Sequence, residues 1–184
     1  MTDPRPEARN SRDAGAWRQL AELEGPLRFL REPGPWLWIV FTVGIAIRAY
    51  LAIFTDGTDD VRIWFSHAGW THEYGLVDYY QRQEVFNHPP FIGKLLSLLW
   101  VFAREVGVPF RIVLRAPFAL IDLGSALLLL RLFRDSRYRY AIFACYWLHP
   151  LSIIYSAYHG NTDTAVAFAC LLALAAAARG RAVA

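Results

Sequence analysis

Five long apolar blocks constrain this chain more than any other feature. They run Trp36 to Phe54, Phe91 to Val108, Ile112 to Leu132, Tyr140 to Tyr158 and Thr164 to Ala178. Hydrophobic residues make up 55% of the 184 positions, above the usual share for a water-facing domain. Blocks of this length and composition predict an all-α fold, a polytopic membrane bundle of about five hydrophobic segments. The formal net charge is only +3. Arginines gather near block ends, where orientation signals sit. No stripe of Lys and Arg interleaved with aromatics argues for nucleic acid. Cys145 and Cys170 fall inside apolar blocks and read as small packing residues rather than a disulfide or metal pair.

The remaining chain divides around these blocks. Residues 1–35 form a polar tail, with Trp17, Leu20, Leu23, Leu27 and Leu30 at helical spacing in a juxtamembrane helix. The tail carries no signal-peptide pattern. Residues 36–181 are the expected membrane domain, with a first outer loop at 55–90 and residues 182–184 closing an incomplete chain. Arg28 and Arg31 precede the first block and aspartates follow it, so the positive-inside rule places the N-terminus in the cytoplasm and the loop outside. Arg48 is expected to snorkel outward. Within the loop, Val61, Trp64, Phe65 and Ala68 share one face of an interfacial amphipathic helix. Alternating crossings put Arg131, Arg134, Arg137 and Arg139 outside, against that rule. With that cluster inside instead, one block is re-entrant or fails to cross, and the fourth, broken at His149-Pro150, is a candidate for irregular geometry.

Chemistry concentrates in the loop. Asp56, Asp59 and Asp60 follow the first block, and Asn87-His88-Pro89-Pro90 opens the second. A carboxylate there can act as a general base on a hydroxyl or hold a divalent metal. The alternative is a solvated acidic loop. Lys94 lies about 6 Å into the second block at ~1.5 Å per residue, placed to hold a phosphate or simply to snorkel. His88 can bond the loop, cap the helix or touch a substrate. Arg115 and Asp122 share a helix face about two turns apart. Asp122, costly when ionised in an apolar block, should face the interior or a polar cavity. His159-Gly160-Asn161-Thr162-Asp163 offers a turn and a helix cap, or donors and acceptors for a sugar or phosphate. No P-loop, dinucleotide fingerprint, nucleophile elbow or H-E-x-x-H motif is present.

The order of these parts resembles the GT-C superfamily of polyprenyl-phosphate-sugar-dependent membrane glycosyltransferases, above all bacterial mannosyl- or glucosyltransferase-type members. The resemblance runs from Trp36 to Arg181 and covers the N-terminal portion of such an enzyme. It implies a hexosyltransferase in the bacterial plasma membrane. A lipid-phosphate sugar is the donor, and a glycan, lipid or protein on the outer face is the acceptor. Asp60, then Asp59, takes the catalytic role by inverting displacement. Asn87, His88, Lys94, Arg115, His159, Asn161 and Asp163 bind substrate and phosphate. The resemblance fixes no cofactor, and a divalent metal, if used, falls on Asp59 and Asp60. His88 stands where some members carry Lys. The alternatives are a lipid-linked sugar transporter lined by Arg115, Asp122 and Lys94, or an inactive fragment of a split transferase that needs a partner membrane chain.

Overall fold

The protein is seen in a computed structural model that describes residues 32–82 and 86–178. The juxtamembrane helix expected within residues 16–30, Arg179, Arg181 and residues 182–184 lie outside the described residues. The described chain is helical: α1 Pro35–Phe54, α2 Asp59–Tyr74, α3 Leu76–Arg82, α4 Pro90–Val106, α5 Phe110–Leu132, α6 Arg139–Trp147 and α7 Pro150–Ile153. A π-helical turn, Ile154–His159, leads to α8, Asp163–Ala177. Proline sits in the first turn of α1, α4 and α7, where its missing N–H has no partner to lose and its fixed φ suits a helix.

Helix α5 organises the rest, packing against α1, α2, α4, α6, the π-helical turn and α8. Its N-terminal half supplies Phe110, Val113, Leu114 and Phe118 to an apolar cluster with Val61, Trp64 and Ala68 of α2 and Ile92, Leu96 and Ala103 of α4. The i, i+3, i+7 spacing in α2 buries one stripe against α4. Each large side chain buried here contributes about 1.5–3 kcal/mol. The expected α2 face is corrected at Phe65, which is 47% exposed and meets Trp100 and Phe110 edge-on. Further along, α5 meets Phe143 and Trp147 in a second cluster with Phe41 of α1. Gly44 permits that approach, because a Cβ on it would fall 2.0 Å from Trp147 Nε1.

Between the clusters lies a buried charge pair. Arg48 of α1 donates from Nε and Nη2 to Asp122 Oδ2 at 3.0 and 2.5 Å. Its Nη1 reaches the carbonyls of Gly44 and Trp147, and its guanidinium lies 3.7 Å from the Trp147 ring centroid. Asp122 also accepts from Tyr146 Oη at 2.7 Å, Ser152 Oγ at 2.8 Å and Ser156 Oγ at 3.2 Å. Burial pushes the Tyr146 hydroxyl up to about 12, which keeps it a donor to the carboxylate. Buried charges persist only when paired and hydrogen-bonded, and here both are. Arg48 therefore does not snorkel outward. It turns inward because Asp122 and two carbonyls replace its water.

This packing corrects the five-segment membrane bundle. Among the described residues two helices, α1 and α5, are long and apolar enough to cross a membrane. Helix α4 is 17 residues long, and the fourth apolar block breaks at His149-Pro150 into α6, α7 and the π-helical turn. The helices pack on one another around α5 and its buried polar network. The plasma-membrane localisation, the sidedness of the loop and the bilayer as partner presupposed a polytopic membrane bundle, and two candidate helices do not sustain them. The physical reason is that an apolar block looks the same in sequence whether it faces lipid or other helices. The two cysteines are exposed rather than packed inside.

Candidate functional site

The site is built where α1 stops. Its last carbonyls have no intrahelical partner, and Arg115 of α5 supplies the donors. Arg115 Nη1 reaches Leu51 O at 3.1 Å, while Nη2 reaches Ala52 O at 3.0 Å and Thr55 O at 2.6 Å. Its Nε bonds the Arg111 carbonyl at 2.8 Å. A cation at a helix C-terminus also meets the negative end of the macrodipole. Arg115 is fully buried and spends its donors on backbone, so it stands as a structural cap. Gly57 follows with φ +83°, and a Cβ there would lie 2.6 Å from the Tyr158 carbonyl and 2.7 Å from Val61 Cγ2. Left-handed backbone and a crowded neighbour both select glycine. The loop 55–58 is thereby pressed onto the end of the π-helical turn.

Thr58 is the N-cap of α2, yet its side chain makes no capping bond. Its Oγ1 lies 2.8 Å from His159 Nδ1, and His159 Nε2 lies 2.7 Å from Asp60 Oδ2. The carboxylate accepts, so Nε2 carries a proton. In the neutral form of the ring Nδ1 is left bare, to accept from the Thr58 hydroxyl. Tyr155 packs edge-on against the imidazole, centroids 5.9 Å apart. The result is a hydroxyl, an imidazole and a carboxylate in line, with His159 23% and Asp60 46% exposed.

Beside this array opens a cleft of about 460 Å³. Val61, Phe65 and Phe110 line it together with Asp56, Asp59, Arg62 and Arg111. Asp59 pairs with Arg62 at 3.2 Å, and Asp56 approaches Arg111 Nε at 3.8 Å. Both aspartates are almost wholly in solvent. The Nε atom of Arg111 is itself buried and has no hydrogen-bond partner.

The sequence candidates divide in space. Asp59, Asp60 and His159 come together at the array and cleft. Asn161 instead orders a turn: its Oδ1 accepts from Asp163 N at 3.1 Å and from Thr162 Oγ1 at 3.3 Å. Asp163 faces outward in the first turn of α8, and Asn87 and Lys94 are exposed. His88 is half-buried with its ring against Trp64, centroids 4.6 Å apart. His67 is held below the usual imidazole range by burial and then by the nearby His88, and it shares a hydrogen bond with Tyr79 Oη. Thr58, Arg62, Phe110 and Arg111 were not singled out as site residues in sequence, and Phe65 was read only as part of the apolar face of α2. Thr58 had a local signal, a hydroxyl ahead of two acidic residues at a helix start. Arg111 had none, because only the fold brings it to the loop.

No family model, curated protein or solved structure matches the chain. The resemblance to membrane glycosyltransferases is therefore not sustained. Short motifs in a plausible order recur by chance in apolar helical chains. The hexosyltransferase activity and the lipid-phosphate sugar donor fall with it. Among the described residues no group of three His, Cys, Asp or Glu side chains could hold a metal ion. The transporter path is corrected as well, because Arg115 and Asp122 are buried and bonded within the protein.

Proposed function

We propose that the cleft at the start of α2 binds a small zwitterionic molecule of the amino-acid class. One observation carries the reading: the buried Nε of Arg111, 3.8 Å from Asp56 Oδ1 but without a hydrogen-bond partner, lies in a cleft that also presents two solvated carboxylates. A buried donor without a partner implies a ligand or ordered water that supplies one. A ligand carboxylate fits the guanidinium, which can receive it through two parallel hydrogen bonds. A ligand ammonium fits Asp56 and Asp59. The Arg62–Asp59 pair is exposed, worth about 0–1 kcal/mol, so a ligand can exchange with it at little cost. Phe65, Phe110 and Val61 offer apolar contact for a side chain. The volume lies within the range of roughly 300–1,000 Å³ typical of small-molecule sites.

Calorimetric titration with phenylalanine, N-acetylphenylalanine and phenylalanine methyl ester tests this directly. Saturable binding of the free amino acid is expected, weakened tenfold or more by blocking either charged end. Equal binding of all three, or binding of none, would contradict the proposal.

A further inference from the structure

The in-line arrangement of Thr58, His159 and Asp60 does more than close the loop. We propose that Thr58 is an acyl-accepting nucleophile and that the cleft hydrolyses small esters. The inference rests on the preceding reading only in that the cleft admits a small molecule.

Four features support it together. The hydroxyl lies within hydrogen-bond distance of a base, Nδ1 of His159 at 2.8 Å. That base is oriented by a carboxylate on its other nitrogen, Asp60 Oδ2 at 2.7 Å. A hydroxyl, a base and an orienting carboxylate are the set that activates a hydroxyl nucleophile on unrelated folds, recognised by roles rather than by sequence order; here the two ring nitrogens exchange places, with Nδ1 towards the hydroxyl and Nε2 towards the carboxylate. Thr58 lines the 460 Å³ cleft, so a carbonyl carbon has room to approach. Finally, Thr58 leaves its capping role unused. The N–H groups of Asp59 and Asp60 precede the first backbone bond of α2, Val61 N to Thr58 O at 3.0 Å. They are available to a developing oxyanion.

In the first step Thr58 Oγ1 forms a bond to the ester carbonyl carbon and passes its proton to His159 Nδ1. The carbonyl π pair moves onto oxygen. Collapse of that intermediate breaks the bond to the alcohol oxygen, which leaves with the proton from His159. Water then attacks the acylated Thr58, giving its proton to His159. The acyl–Oγ1 bond breaks, and Oγ1 recovers that proton. One ester and one water become one carboxylic acid and one alcohol. Asp60 balances the transient imidazolium throughout.

The test uses an ethyl fluorophosphonate probe with intact-mass and peptide-level readout, beside p-nitrophenyl acetate hydrolysis. Wild type, Thr58→Ser, Thr58→Val and His159→Gln are compared, each checked for an unchanged unfolding midpoint. One adduct on the peptide carrying Thr58 is expected, retained in Thr58→Ser and slowed at least tenfold in the other two. Phenylalanine titration runs in parallel. Labelling without amino-acid binding sinks the zwitterion reading and supports the nucleophile. Binding with no adduct, or with an equal adduct rate in Thr58→Val, overturns the nucleophile. Should Thr58→Val fail to fold, loss of the adduct in a folded His159→Gln supports the proposal, and an unaltered rate there overturns it.

Discussion

Two charged clusters, one at Arg48–Asp122 and one around Asp56–Asp60, sit at opposite extremes of saturation. In the first, both partners are at most 3% exposed, and each charge meets several donors or acceptors. In the second, the carboxylates of Asp56 and Asp59 are almost fully exposed, and a guanidinium donor is buried without a hydrogen-bond partner. The same chemistry thus serves different ends. A saturated network has no capacity left for a ligand and holds helices in register, whereas an unsaturated one has affinity to give. The number of charges does not distinguish the two, and the count of unused donors and acceptors does.

The comparison breaks first at its buried end. Asp122→Ala leaves the Arg48 guanidinium in the interior with its charge uncompensated. A loss of about 3–5 kcal/mol is expected, measured by denaturant unfolding; a loss below 1 kcal/mol would mean that the network is not structural. Gly57→Ala comes next. It forces a Cβ against the Tyr158 carbonyl in left-handed backbone, for which about 2 kcal/mol or more is expected, together with loss of the cleft's binding. Wild-type stability after Gly57→Ala would show that the loop is not pressed onto the π-helical turn.

The two clusters also differed in how far they could be read beforehand. Asp122 in an apolar block demanded an inward partner, and the structure provides one. That the partner is Arg48, 74 residues away, had no local trace, because a cation near a block end reads equally well as snorkelling. The helix start at Pro90 was legible from proline's fixed φ, and so was a break at His149-Pro150. The stripe Val61, Trp64 and Ala68 was legible from its period. What those helices pack against was not, since apolar faces carry no address. In the cleft, the aspartates and His159 drew notice as polar punctuation between apolar runs. Their joining through Thr58, 101 residues from His159, depends on Arg115 and Gly57 folding the loop back.

Smaller effects sharpen the contrast. Folding holds His67 below its usual range, so the unfolded chain binds the extra proton more readily. Its contribution is full above the unfolded value of about 6.5 and is lost as pH falls through the depressed folded value. His67→Gln should flatten the fall in stability below neutrality, read from unfolding midpoints across pH. An unchanged slope would remove His67 as its source. Smallest of all, Asp59→Asn should change stability by only about 0–0.5 kcal/mol, as exposed pairs do, while weakening amino-acid binding. A large stability loss would place Asp59 in the structural class instead.

The central claim is that unsatisfied charge in the cleft marks function while satisfied charge in the core marks structure. Phenylalanine titration of Arg111→Met, with the unfolding midpoint followed on the same preparation, tests it most directly. The account predicts a tenfold or greater loss of affinity at a nearly constant midpoint. Undiminished affinity, or a collapse of stability like that of Asp122→Ala, would contradict it.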